Sequence, residues 1–552
     1  MNATSLSTAW LLLNRLLPPG AMLHKELRVA SRQRRNYALR FLYVGLLTVF
    51  MIFVWLGTVR GGGPSSAVFQ ASRMAQVGRS VTVLVVWLQF LSAQVLAVVL
   101  LSGAVSGEIR QRTLDALLVT PISSAQVVLG KFASKLLQVG ILVAASLPLL
   151  AVIRVFGGVP WDYLVSGLGL TFTAAAFAGA LSLLFSSYFR RAHEAMLAAV
   201  LWEIGIIGGI LVATTLLAHW DVIGAGAAES VVLLSNPFAA LISRTGAMLS
   251  ARPNPGPSFS CLMQCAPLLG VAGMALLLSL WRVHRLRSGT AVQIAPAAVG
   301  HSGAIRHVKG SPIVWKELRK PLFSRWRRSL LMYAFLAIVA AGILIVPLLL
   351  GAHVAAGPYI LGYALYVLFI IHLAASAGAA VTTEREARTW PILLTTPLEN
   401  RQIIKGKAMG LLRRNLPLLA PLPVLYALGI LVTPGLGGAI QRYLFSVLIA
   451  AVGLVGTTIF LLGVGLYLSA RLRKTTTAVA ATFLLFVGSK FFCCGGLTSV
   501  MFRAAVFRPP GQGSLAGLFP ALIVLCIPTI AQMGIGLLCL GAAIGRVRRD
   551  IF

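Results

Sequence analysis

Acidic residues are scarce in this chain: 13 Asp and Glu stand against 47 Lys and Arg in 552 residues, and the four charged types make up only 11%. Soluble globular domains carry about a quarter charged residues, so that class is excluded. A 58% hydrophobic fraction and a mean hydropathy of +0.89 identify a membrane protein instead. Cysteine is also sparse. Cys261 and Cys265 are four apart, Cys493 and Cys494 are adjacent, and Cys526 and Cys539 share one apolar run, which gives no metal-ligand framework. They read as small packing residues, with a disulfide between the first two left open. A cleavable leader is not expected, because "AWLLLNRLLPPG" is short, contains Arg15 and lacks a basic leader or small-residue cleavage site. No His/Asp/Glu constellation suited to catalysis occurs in a span or long loop. Finally, there is no GxxxxGK[ST] and no LSGGQ-like signature. "LGKF" at 129–132 and "KGKA" at 405–408 lack the glycine five residues earlier and the following Ser or Thr, so the chain should neither bind nor hydrolyse ATP alone.

What is present is a series of apolar runs, each long enough for the roughly 20 residues that cross a hydrocarbon core. They predict twelve transmembrane helices, at 38–59, 81–105, 126–153, 163–188, 194–217, 264–283, 329–350, 357–381, 410–434, 441–470, 476–500 and 519–545. Helices are required because lipid cannot satisfy the backbone of open strands. With the N-terminus placed in the cytoplasm, 37 of the 47 Lys and Arg fall on the cytoplasmic side, nine on the other, and Lys490 lies within a span. That is the positive-inside pattern. It places both termini in the cytoplasm and accounts for the net charge of +34 without nucleic acid.

The sequence repeats itself. Shifted by 276 positions, residues 108–131 align without a gap on 384–407, and ten of these 24 positions are identical. They include Glu108 with Glu384, Arg112 with Arg388, Thr113 with Thr389, Leu117 with Leu393, Thr120 with Thr396, Pro121 with Pro397, and Gly130-Lys131 with Gly406-Lys407. "KELR" precedes each copy, at 25–28 and 316–319, and "FSSYFRR" at 185–191 is echoed by "LSARLRK" at 468–474. Two parallel six-helix repeats follow: residues 1–290, a cytoplasmic linker at 291–313, and residues 314–552.

Each repeated interruption predicts an amphipathic surface helix too short to span. Leu114, Leu117 and Leu118 form one stripe, matched by Trp390, Leu393 and Leu394, and Trp favours the membrane interface. Glu108/Arg112 and Glu384/Arg388 are i, i+4 pairs on such a helix. Pro121 and Pro397 end it. Ser123 with Gln126 then predicts a cap for the next span, and Asn400 the cap in the other half. Periodicity alone suits equally a membrane-hugging loop and a rigid helix that receives force from a soluble partner.

"GEIRQRTLDALLVTPISSAQVVLGK" and "TEREARTWPILLTTPLENRQIIKGK" resemble the segment between the second and third spans of the ABC-2 type permeases, the membrane subunits of ABC transporters. The six spans per half, the "KEL" approach helix and "NPFAALI" at 236–242 extend the resemblance over essentially the whole chain, twice. It implies a bacterial inner-membrane exporter whose two halves surround a central path, driven by a pair of separate ATPase subunits that hold ATP and Mg. This chain then binds no cofactor itself, and its partners are those ATPases, membrane lipid and a transported substrate, amphipathic or hydrophobic. The coupling helices that dock on the ATPases would be carried by Glu108, Arg112, Thr113, Leu114, Leu117, Thr120 and Pro121, and by Glu384, Arg388, Thr389, Trp390, Leu393, Thr396 and Pro397. Arg112 and Arg388 replace the usual small residue before Thr. Trp390-Pro391 departs from the pattern that Leu114-Asp115 approximates, which makes the two contacts unequal.

Two ionisable residues fall within corresponding spans, Glu203 in the fifth and Lys490 in the eleventh. Either they approach one another across the central path, or Lys490 snorkels outward while Glu203 meets a polar packing defect. His372 reads as a packed histidine. An ion-coupled secondary transporter with two parallel halves is the competing class, but it ordinarily requires more intramembrane acids than Glu203.

Overall fold

The computed structural model describes residues 20–32, 67–111, 123–155, 159–189, 192–249, 259–287, 310–319, 356–432, 440–491 and 518–546, with a few positions between 37 and 52. Among the described residues every regular element is an α-helix. The first half contains α1 (Gly20–Ser31), α2 (Ala67–Ser102), α3 (Ser106–Gln111), α4 (Ser124–Ala144), α5 (Leu147–Val155), α6 (Trp161–Tyr188), α7 (Ala192–His219), α8 (Ala225–Ser235), α9 (Pro237–Leu249) and α10 (Cys261–Arg287). The second contains α11 (Pro312–Leu318), α12 (Ala356–Ala379), α13 (Thr382–Glu386), α14 (Trp390–Leu394), α15 (Asn400–Leu419), α16 (Pro421–Val432), α17 (Ile440–Arg471), α18 (Thr475–Phe491) and α19 (Leu518–Arg546).

The chain is an all-α polytopic membrane protein. Among the described residues eight helical stretches are long and apolar enough to cross a bilayer, or nine if α8 and α9, bent by 107°, form one broken span. The eight coincide with eight of the twelve expected spans, and the described residues do not confirm the count of twelve. Of the expected first span, 38–59, the described residues include the short apolar stretch Arg40–Val49, and 329–350 lies outside the described residues. The expected span 410–434 is divided before Pro421 into α15 and α16, and of the expected span 476–500 the described residues cover α18 as far as Phe491.

Each half is built around its fourth span. In α6 the small side chains of Ala174, Ala175, Ala178 and Ala180 are fully buried, and α2 and α10 pack against them. Helices in lipid associate through close backbone contact and polar groups rather than through a hydrophobic drive. The second half repeats this arrangement with α12 and α19 on α17. There, a Cβ on Gly463 would fall 1.9 Å from the Gly536 carbonyl oxygen, so only glycine allows α17 and α19 to touch. The approach helices match as well: α1 lies on α4, and α11 lies on α15. Between halves the contact is crossed. The fifth span of each half packs on the second span of the other, α7 on α12 and α18 on α2.

"NPFAALI" has a local explanation. Asn236 Oδ1 accepts the N–H groups of Phe238 (2.9 Å) and Ala239 (3.3 Å), and Pro237 opens α9 where its missing N–H costs nothing. This cap-and-proline pair turns the chain sharply between α8 and α9. Thr245 then anchors α9, meeting the Trp87 indole N–H at 3.3 Å and the Tyr163 hydroxyl at 3.1 Å.

Candidate coupling site

At the ends of α2 and α12 the chain leaves a long helix and immediately begins a short one, which strands backbone N–H groups at the break. A serine from the fourth span of the same half satisfies them. Ser186 Oγ accepts Val105 N–H (3.0 Å) and Ser106 N–H (2.9 Å), and Ser469 Oγ accepts Val381 N–H (2.8 Å) and Thr382 N–H (3.1 Å). Residues 105 and 106 correspond to 381 and 382 at the 276-residue shift, and the serines occupy the same place in "FSSYFRR" and "LSARLRK". Both halves thus fix the base of the repeated motif in one way.

A second shared device follows. Lys131 Nζ donates to the Ala104 carbonyl at 2.7 Å and pairs with Glu108 at 2.5 Å. Lys407 Nζ donates to the Ala380 carbonyl at 3.0 Å and pairs with Glu384 at 2.9 Å, with Glu317 of the "KELR" helix at 3.5 Å. All three partners, 104/380, 108/384 and 131/407, are equivalent at the same shift. A fully buried ammonium is tolerable only when its donors are met, and the carbonyl and carboxylates meet them. In the first half the "KELR" carboxylate, Glu26, goes to Lys135 instead, at 3.2 Å. Glu384 also takes Lys316 at 3.0 Å. Burial pushes its carboxyl up, but Lys407 and Lys316 outweigh that and hold it below the ordinary carboxylate range. Glu26 behaves likewise, burial being overcome chiefly by Lys135 and Lys131.

These positions revise the surface-helix picture. Glu108 and Glu384 are each turned to a buried lysine of the third span, which fixes the start of the motif. In the second copy the expected continuous helix is broken: α13 ends at Glu386, Arg388 adopts a left-handed backbone (φ 56°), and α14 starts at Trp390. The helical i, i+4 geometry between Glu384 and Arg388 is lost at that break. Thr389 N–H closes the turn on the Glu384 carbonyl at 2.9 Å. The stripe does face inward, but Trp390 is covered by protein, 6% exposed, with its ring near Lys407 and Arg385. Leu393 is half-buried against the same core. What remains outside is Arg388, Thr389, Pro391, Ile392 (68% exposed), Thr395 and Pro397, while Thr396 turns its hydroxyl back to the Leu393 carbonyl. Of the first copy, Arg112, Thr113, Leu114, Leu117, Thr120 and Pro121 lie outside the described residues.

The caps that start the third span are also paired. Ser123 and Gln126 form the expected reciprocal box, whereas the second half caps α15 with Glu399 and Gln402, not with Asn400. Ser123 and Glu399 are equivalent positions; the signal was the conserved spacing to glutamine, obscured because glutamate is an uncommon cap residue.

The intramembrane charges are not brought together. Lys490 donates to Gln532 Oε1 at 3.1 Å, and Gln532 Nε2 donates to Ser489 Oγ at 3.1 Å. Glu203 is 8% exposed and its Oε1 has no hydrogen-bond partner among the described residues. His372 is packed, as expected: its Nδ1 meets Asn415 Oδ1, and because Asn415 Nδ2 donates to the Leu411 carbonyl, Nδ1 carries the proton. Cys261 and Cys265 are free thiols with sulfurs 3.8 Å apart. Among the described residues no group of three or more His, Cys, Asp or Glu could hold a metal.

Lys131, Lys407, Ser186, Ser469 and Glu317 are the members of this site that the motif reading missed. Each was visible as a repeated residue, but none carried a sign of what it touches. The family described as "ABC-2 family transporter protein" matches residues 21–354 and again 311–534. No curated protein matches the chain. The two equivalent lysine hubs, the crossed packing of two like halves and this double match lead to one statement: the chain belongs to the ABC-2 transporter family, as two permease halves fused in one polypeptide.

Proposed function

We propose that this permease exports an amphipathic or hydrophobic substrate, driven by two separate ATPase subunits, one docked on each motif copy. The end of the bundle that carries the motifs then faces the cytoplasm of a bacterial inner membrane, together with both termini. Residues 1–290 and 314–552 are the two halves, with 291–313 as linker. The single observation that carries this reading is the pair of lysine hubs. Each clamps the motif to its own third span, so a push on the exposed tip of α14 moves α12 and α15 together rather than bending a loop. ATP and Mg belong to the partners.

Cargo is supported by a cavity of about 760 Å3 at the motif end, between the halves. Gly103, Ala192 and Leu411 give it an apolar wall, and Arg414, Arg473 and Glu386 belong to a charged one of both signs. Such a mixed lining suits a molecule with both characters. The test is affinity isolation of the full chain from its native membrane, followed by ATPase assays in proteoliposomes with candidate amphiphiles. An ABC ATPase should co-purify in two copies per chain. Its absence, or ATP hydrolysis by the chain alone, would overturn the proposal.

A further inference from the structure

The fifth span of the second half, α18, begins "KTTTAVAA", with Lys474 in the position where a capping acceptor would normally stand. Lysine has donors only. The stranded Thr475 N–H is nevertheless satisfied, by a side chain from elsewhere: Glu386 Oε1 accepts it at 2.8 Å. Glu386 is the last residue of α13, two positions beyond the Glu384 that holds Lys407. A carboxylate at a helix N-terminus is favoured by both the hydrogen bond and the helix dipole.

The next residue of the same turn faces the other half. A Cβ on Gly103, at the end of α2, would fall 2.9 Å from Thr476 Cγ2. The first turn of α18 is therefore gripped on one side by the second motif copy and set on the other against the first half. The first half differs here in sequence. At the positions equivalent to Glu386 and Thr475 it carries Arg110 and Ala192, and arginine has no acceptor to offer a helix N-terminus.

We propose that Glu386 is a positioning residue that ties the second motif copy to the fifth span, so that this copy, and not the first, transmits ATPase movement directly to the contact between halves. The idea rests on the permease reading above. It gives a direction to the inequality expected from Trp390-Pro391: the copy that departs from the family pattern is the one connected to α18.

Hydrogen-exchange mass spectrometry on the full chain in nanodiscs, alone and with its co-isolated ATPase, tests this. In the chain alone, Glu386→Ala should speed exchange at the Thr475–Ala478 amides about tenfold, the equivalent of losing a charge-assisted hydrogen bond, while Glu386→Gln keeps an acceptor and stays near wild type. With the ATPase bound, trapping it with ATP and vanadate should change exchange at 475–480 in the wild type and the Gln variant but not in the Ala variant, and should change 192–197 much less in all three. A merely structural cap would lose protection in the Ala variant yet keep the nucleotide response, and that result overturns the proposal, as does an equal response at 192–197. Failure of any ATPase to co-purify instead overturns the reading beneath it, which the chain-alone arm does not depend on.

Discussion

Lys407 and Glu384 lie 2.9 Å apart, and the same pair, Lys131 and Glu108, lies 2.5 Å apart in the other half. Removing only the lysine leaves Glu384 and Glu317 buried without their shared cation. Lys407→Ala should therefore cost about 3–5 kcal/mol, read as a large fall in the thermal unfolding midpoint of the purified protein. Lys407→Met combined with Glu384→Gln and Glu317→Gln should recover part of the loss. If the triple variant is as damaged as the single one, unpaired charge is not the cause.

Acid should act through the same carboxylates. The folded values of Glu26 and Glu384 both lie below the ordinary range, so the stability they contribute is complete above the usual glutamate value of about 4.3. It is lost as pH falls through the lower folded values. An unfolding-temperature series from pH 6 downward should show a decline that is shallower in Glu384→Gln. An identical slope in that variant would refute the assignment.

Ser186→Ala and Ser469→Ala each strand two buried N–H groups at the break before the motif. Each should cost about 1–3 kcal/mol, and because the serines sit in different halves with no shared partner, the double variant should show the sum. Denaturant or thermal unfolding checks both points.

The two faces of α14 should separate stability from docking. Trp390→Ala opens a cavity in covered packing and should cost about 3–5 kcal/mol. Ile392→Asp alters only the exposed tip; it should leave the unfolding midpoint within about 0.5 kcal/mol of wild type while reducing the amount of ATPase recovered with the chain. Normal recovery in Ile392→Asp would place docking elsewhere.

Much of the architecture was legible along the chain. Apolar length marks each span: the expected helices at 163–188 and 194–217 appear as α6 and α7 with ends shifted by a few residues, while α2, expected at 81–105, begins earlier, at Ala67. The duplication was legible too, because both halves must bury the same faces. The capping box at Ser123 and Gln126 is a contact over three residues and could be read directly. The site was less legible. Glu384 looked like half of an i, i+4 pair, since periodicity assumes a continuous helix, and nothing in "TEREARTWP" signalled that Arg388 would take a left-handed backbone.

The amino-acid sequence by itself determined that this is a two-half membrane protein, because span length and internal repetition are properties of the chain read in one dimension. Only the tertiary structure decided what the charged motif does. Glu384 and Lys407 are 23 positions apart, and Glu386 and Thr475 are 89 apart. Such pairs form only when α12, α15 and α18 are packed side by side, so that an acid that would cost little in solvent becomes, once buried, either paired or intolerable.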